Sequence, residues 1–343
     1  SAAPAALARR GAGVVAFDAF QPPHTLGSTH GHTRIIREAY YEHPLYVPLV
    51  RRAYELWQDL ERDSGETLLL RTGGLMVGPE SGPLVSGARD SATRHDIPHT
   101  MLDARALRDR FPAFRAQPHW VGLHEHRAGI LFPERCVAAL LDSARSFGAE
   151  LRTGMRVRGW RRNGERLLVD NDGEPCEVVR LVIAAGPWLP SLAASLDTPL
   201  PLEIERQLSH WFRPRARADA FAPDRCPIAL WETGDDGGLF ATFPDVGNGV
   251  KCGTHHAGSS TTPESVDRRV SDAENEVARA LLETVMPGAG GTVAESRVCL
   301  YTNTPDHHFI VDWTNAGRVL LLSPCSGHGF KFASAIGELA AQM

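Results

Sequence analysis

The sequence predicts an α/β protein: a discontinuous Rossmann-like nucleotide-binding domain with a second, β-sheet-based α+β domain threaded through it. Three observations predict this. The chain opens on a helix, a tight turn, a strand and an acid; a helix–glycine–strand unit recurs at 133–157; and buried strands run into helices at 180–196 and again at 318–342. At 343 residues the chain also exceeds the usual size of a single core.

The elements follow in order. "AAPAALARRGAGVVAFDAF" reads as a small-residue helix from Ala2 to Arg10, punctuated by Gly11 and Gly13. An apolar strand from Val14 to Phe17 follows, with Asp18 at its end. That is the second half of a dinucleotide-binding βαβ unit. Its first strand and Gly-rich loop, about fifteen residues, are expected upstream of Ser1; the alternative is a chain that opens on a surface helix. Residues 46–65 form an amphipathic helix, and 68–78 a strand pair around a Gly-Gly turn. The stretch 204–298 is richer in short strands and turns. The last helix pattern, "SAIGELAAQM", has no stop signal, so Met343 falls within it. The expected division assigns 1–67, 136–203 and 299–343 to the nucleotide-binding domain, and 68–135 and 204–298 to the substrate domain.

Composition narrows the function. Apolar content of 43%, charged content of 22% and a net charge of -5 are those of a soluble globular protein and give no reason to expect nucleic acid. No apolar run reaches the length of about eighteen residues needed to span a membrane, and no signal-peptide pattern opens the sequence. Cys136, Cys176, Cys226, Cys252, Cys299 and Cys325 are far apart, which reads as a reduced, cytoplasmic chain without structural zinc. The histidine doublets His30/His32, His255/His256 and His307/His308 have no carboxylate or thiol at a familiar ligand spacing, so no metal is expected.

Of the 36 Lys and Arg residues only Lys251 and Lys331 are lysine. Chance escape from a composition bias is one account. The other is that both sites need a compact ammonium that a planar guanidinium cannot imitate. The segment "HTLGSTHGHTRIIREAY", 24–40, packs histidines and arginines close behind a ribose-binding type of acid. Such density suits a cofactor pocket or a solvated loop.

"FDAFQPPHTLGSTHGHTRIIREAY", "NGVKCGTHH", "RVCLYTNTPDHHFIVD" and "SGHGFKF" resemble, in order along the whole chain, signatures of the monomeric sarcosine oxidase and N-methyltryptophan oxidase family. The resemblance implies a FAD enzyme that oxidises secondary amines of N-methyl amino acids and passes electrons to O2, as a monomer. It implies covalent attachment of FAD at Cys299, whose thiolate would be the nucleophile. Lys251 matches the lysine that faces O2, where a fixed cation stabilises developing superoxide. Arg37 and Lys331 match the pair that grips the substrate carboxylate. Arg34 matches the arginine over the flavin, with His30 in the same loop, and His255 the histidine near the substrate amine. Asp18 would bind the adenosine ribose. Gly186 would let backbone pass close to FAD, and Gly327, His328 and Gly329 would face the flavin edge that becomes negative on reduction. Val157 and Glu42 are further carry-overs to the cofactor site.

Two departures stand out. The pyrophosphate-binding glycines lie outside this sequence, and Phe240 and Ala241 stand where the family has a phenol. The second widens the substrate choice to larger N-alkyl amino acids. Fructosyl amino acids, cyclic imino acids, and a flavin-free homologue without catalysis are the alternatives. Pocket volume around His255 and Phe240 is the feature expected to discriminate among the substrates.

Overall fold

The computed structural model describes residues 1–194, 196, 200–215, 218–233, 238–314 and 317–343. Helix α1 (Ala2–Arg9) and strand β1 (Val15–Asp18) form as the sequence predicts. Strand β2 (Arg34–Ile36) follows, then α2 (Tyr46–Ser64). Helix α2 buries Val47, Val50, Ala53, Tyr54, Trp57 and Leu60, the three-to-four-residue repeat of one apolar face, and ends at Gly65 in the left-handed region. Strands β3 (Leu69–Arg71) and β4 (Gly74–Pro79) come next. They are not a hairpin: β3 joins a small sheet with β2, whereas β4 enters the large one. The Gly-Gly step hands the chain from one sheet to the other, which a local pattern cannot distinguish from a turn.

Helix α3 (Pro83–Arg94), β5 (His99–Asp103), α4 (Ala104–Arg110), β6 (Trp120–Glu125) and β7 (Gly129–Leu131) lead into α5 (Pro133–Ser146) and β8 (Glu150–Thr153). Strand β8 pairs in parallel with β1, placing Asp18 opposite Thr153. A three-stranded meander, β9 (Val157–Asn163), β10 (Arg166–Asn171) and β11 (Cys176–Val178), precedes β12 (Leu181–Ile183) and α6 (Leu189–Leu192).

The region after 203 is less fragmented than the sequence predicts. Strand β13 (Glu203–Phe212) is ten residues long and is followed by β14 (Ile228–Thr233), β15 (Gly238–Phe243), β16 (Val250–His255) and β17 (Ser259–Thr261). Helix α7 (Asp272–Val285) starts with a capping box of Ser271 and Glu274. Strand β18 (Val293–Asn303) pairs along its length with β13 and so runs across position 299 without a break. Strands β19 (Ile310–Thr314) and β20 (Val319–Ser323) lead to α8 (Ala333–Gln342).

Among the described residues the large sheet has nine strands in the order β17-β13-β16-β15-β14-β4-β6-β5, with β18 on β13. Strands β12 and β20 pair in parallel, with β19 antiparallel outside them. The largest core joins α1, α2, α5 and α8; a second core backs the large sheet around Trp231, Phe240 and Phe212. No helix among the described residues is long and apolar enough to cross a membrane.

Candidate active site

A cavity of about 900 Å³ runs from α1 and the end of β1 to the large sheet and the turn before α8. Asp18, Val157 and Gly186 line one part of it; Arg34, Arg37, Glu42, Lys251, His255, Cys299, Gly327, His328, Gly329 and Lys331 line the rest. The two lysines therefore share one cavity, although 80 residues separate them. His30 does not line it: it is buried, and neither ring nitrogen has a partner among the described residues. Burial, with Arg34 next, pushes the His30 imidazolium down to about 3, so the ring is neutral.

Alternation along β16 brings Lys251 and His255 to the same face of the sheet. Between them lies Gly253, paired with Ala241, which pairs in turn with Leu230; all three line the cavity. Phe240 points the other way into the core, fully buried, so Ala241 and not Phe240 borders the cavity.

Lys251 Nζ donates to the carbonyls of Gly31 (2.9 Å) and Thr33 (2.8 Å) and lies over the rings of Phe243 and Trp211. Burial, then the Arg34 charge, drives its ammonium well below the usual lysine range. Cys299 Sγ is 3.5 Å from the Ser28 carbonyl, and Arg34 Nη2 reaches that sulfur at 3.7 Å. Arg34 is held by the carbonyls of Ser28 and Thr33.

Arg37 is buried and gives two bonds to Glu42, at 2.8 and 2.6 Å, and one to the Ala39 carbonyl. Its guanidinium stacks on Tyr40 and Tyr41, and its Nε is buried without a partner among the described residues. Glu42, expected beside the cofactor, lines the cavity and accepts from Arg37 with both carboxylate oxygens; against the pull of burial, Arg37 keeps it below the ordinary carboxylate range. Lys331 Nζ donates to the His328 carbonyl at 2.6 Å and reaches Tyr40 Oη at 3.4 Å. Tyr40 Oη donates to His328 Nδ1, while His328 Nε2 donates to the His307 carbonyl, so this network assigns the tautomer of the ring. Burial, then Arg37, lowers Lys331 to about 7.

His255 Nδ1 bonds Tyr301 Oη at 3.1 Å, and burial holds the imidazole neutral. Gly327, at φ +76°, lies against both rings; a Cβ there would fall 2.4 Å from Tyr301 and 2.6 Å from His255. Only glycine lets the loop pass this close. Tyr301 lies within the quoted "CLYT" stretch, but its place beside His255 is set by the loop at 327. Glu125 and Glu134 belong to no motif in the sequence. Their carboxylates accept from backbone amides of Glu38 and Ala39, and of Gly31 and His32, respectively. In sequence Glu134 reads only as an acid in a first helical turn.

The six cysteines are free, and no cluster of three metal-ligating side chains occurs among the described residues.

Comparison with known proteins identifies the family. The family model for FAD dependent oxidoreductases matches residues 1–343. Monomeric sarcosine oxidase of Streptomyces avermitilis is 37% identical over 100% of this chain and 90% of its own. N-methyl-L-tryptophan oxidase of Salmonella arizonae is 32% identical over 97% of this chain and 88% of its own. Among solved structures, a Tyr258Phe mutant of NikD, an unusual amino acid oxidase, superposes with a TM-score of 0.87 at 20% identity, covering 99% of this chain and 89% of that one. L-proline dehydrogenase from P. horikoshii gives 0.85 at 18%, covering 99% and 89%. These two likenesses speak for the fold.

Proposed function

The chain belongs to the family of FAD dependent oxidoreductases, and from that premise we propose that it is a flavin-dependent oxidase of N-methyl amino acids. One O2 and one water are consumed per N-methyl group, giving H2O2, formaldehyde and the demethylated amino acid. The observation that carries this reading is the meeting of Arg37, Lys331, His255, Lys251 and Cys299 on one cavity. The residues present suit FAD. The cavity is long, with a carboxylate at Asp18 for ribose hydroxyls in one part and a thiol at Cys299 in another, and Gly186 and Val157 leave room along its wall.

FAD, when bound, supplies the two-electron oxidation of the amine and returns those electrons to O2. Everything else falls to the chain. Arg37 and Lys331 bind the substrate carboxylate, Arg37 by exchanging its Glu42 partner for substrate. His255, neutral and with its ring held by Tyr301, hydrogen-bonds the amine. The positive charges around it favour the unprotonated amine, the form that can be oxidised. Lys251, in its protonated form, provides the charge that favours electron transfer to O2. Cys299 is the proposed covalent anchor, and Gly327, His328 and Gly329 border the flavin. Arg34 lies beside this anchor, while His30 and Glu42 act at one remove from the cofactor. Ala241, beside Gly253, leaves space for substrates bulkier than sarcosine. We also propose a cytoplasmic monomer, with the FAD-binding domain made of 1–67, 136–203 and 299–343 and the substrate domain of 68–135 and 204–298, β18 bridging the two.

Two measurements test the reading. Peroxide release across a panel of N-methyl amino acids should be positive for at least one, and silence on all of them removes it. Purified protein should stay yellow after acid precipitation; loss of colour removes the covalent link.

A further inference from the structure

Among the described residues the amine of Lys251 has no side-chain acceptor; both of its bonds go to backbone carbonyls of one short turn, Gly31 to Thr33. That turn is unusual. Gly31 sits at φ +98° and His32 at φ 63°, two successive residues in conformations that L side chains disfavour. A Cβ on Gly31 would lie 3.6 Å from Lys251 Nζ and 3.4 Å from both Arg34 and Trp211. Such a turn persists only when its surroundings over-determine it.

Glu134, on α5, supplies that constraint. Its Oε1 accepts from Gly31 N at 2.7 Å and His32 N at 3.2 Å. Burial raises its proton affinity, but these amides, its own amide and Arg34 hold it ionised, below the ordinary carboxylate range. The far side of the turn is tied as well: His32 Nε2 is 2.8 Å from Glu295, which also binds Arg297. The amides of the turn thus face an anion and its carbonyls face a cation. The charged and titratable groups around Lys251 are Arg34 on β2, His30 in the loop before it, Glu134 on α5, Cys252 on β16, and Cys299 and Arg297 on β18.

We propose that Glu134 is a positioning residue for Lys251, acting through the Gly31–Thr33 turn to hold the amine where O2 reacts. This rests on the oxidase reading given above. The mechanism is electrostatic and geometric together. Removing the carboxylate frees two partly buried amides, lets the turn relax from its positive-φ path and withdraws a negative charge from the lysine's surroundings.

The two-lysine composition makes the test direct, because lysine labelled with 13C and 15N gives only two side-chain signals. In the apoprotein, Glu134→Gln should move the titration midpoint of the Lys251 signal downward and leave that of Lys331 in place. In the flavin-loaded enzyme, Glu134→Ala should slow reoxidation of the reduced protein by O2 by about tenfold to a hundredfold, the range for loss of an orienting partner. Reduction by substrate should change less than about threefold. Glu134→Gln, which keeps an acceptor for the amides, should fall between wild type and Glu134→Ala. An unmoved Lys251 signal, or equal slowing of both half-reactions, overturns the proposal. Lys251→Met separates the two levels. If it slows reoxidation and the Glu134 variants do not, the positioning role falls; if Lys251→Met has no effect, the oxidase reading of Lys251 falls with it.

Discussion

The two lysines share a cavity and a fate, since burial pushes both toward the neutral amine, but the carboxylates near them are held in opposite ways. Lys251 stands on β16, flanked by β13 and β15 within the large sheet, with its amine on two carbonyls. The carboxylate behind those carbonyls, Glu134, is bound by backbone amides. Lys331 lies on a short helical turn before α8, with one carbonyl and the Tyr40 phenol as partners. The carboxylate in its neighbourhood, Glu42, is bound by the Arg37 side chain. The carboxylate near Lys251 is tied to main chain, which cannot take a new partner; the one near Lys331 is tied to a side chain that can.

Replacing Lys251 should give the largest effect. Lys251→Met should slow reoxidation by O2 about a hundredfold or more, measured by stopped flow on the reduced protein, while binding of a carboxylate analogue stays near wild type. Similar losses in both would erase the contrast between the lysines. Lys331→Arg should weaken binding of that analogue by about tenfold to a hundredfold, because a guanidinium must enter a space where Nζ is already 2.6 Å from a carbonyl. Flavin attachment at Cys299 should survive; unchanged affinity would return Lys331 to an ordinary buried residue.

Proton dependence sharpens the comparison. Lys331 titrates at about 7 when folded, against 10.5 in the unfolded chain. Between these values the unfolded state holds the proton and the folded state does not. Burial of this lysine therefore costs stability below about pH 7, and the apoprotein gains stability as pH rises through that window. A bound carboxylate favours the ammonium, so binding takes up a proton there. Affinity for a carboxylate analogue should fall by up to about tenfold per pH unit above 7, and a flat titration from pH 6 to 9 would show that Lys331 does not carry the charge. The smallest effect is expected at Glu42. Glu42→Gln weakens the competitor for Arg37, so analogue binding should tighten by about fivefold, the worth of roughly one kcal/mol. Looser binding would mean that Glu42 supports the carboxylate site instead of blocking it.

The legible parts of the molecule were those written in short range. The α1–β1–Asp18 pattern, the α5–β8 unit, the α2 stripe and the strand-to-helix segments all appear near their expected places. Each rests on periodicity or on a turn residue within about twenty positions. The same logic failed at Gly73 and Gly74, where a local turn pattern conceals a passage between two sheets. It also misplaced the discriminating residue at 240–241, because which face of β15 meets the cavity depends on its register with β14 and β16.

By itself, then, the sequence determined the chemical inventory: two lysines in an arginine-rich chain, a cysteine in "CLYT", an acid closing the first strand and a glycine loop before the last helix. Only the tertiary structure decided what each group pairs with. Arg37 meets Glu42 only because the segment after β2 folds back on itself, and Glu134 meets Gly31 across 103 residues of chain. The physical reason is range: hydrophobic period and turn chemistry act between neighbours, whereas the partner of a buried charge is set by which strands and helices the cores bring together.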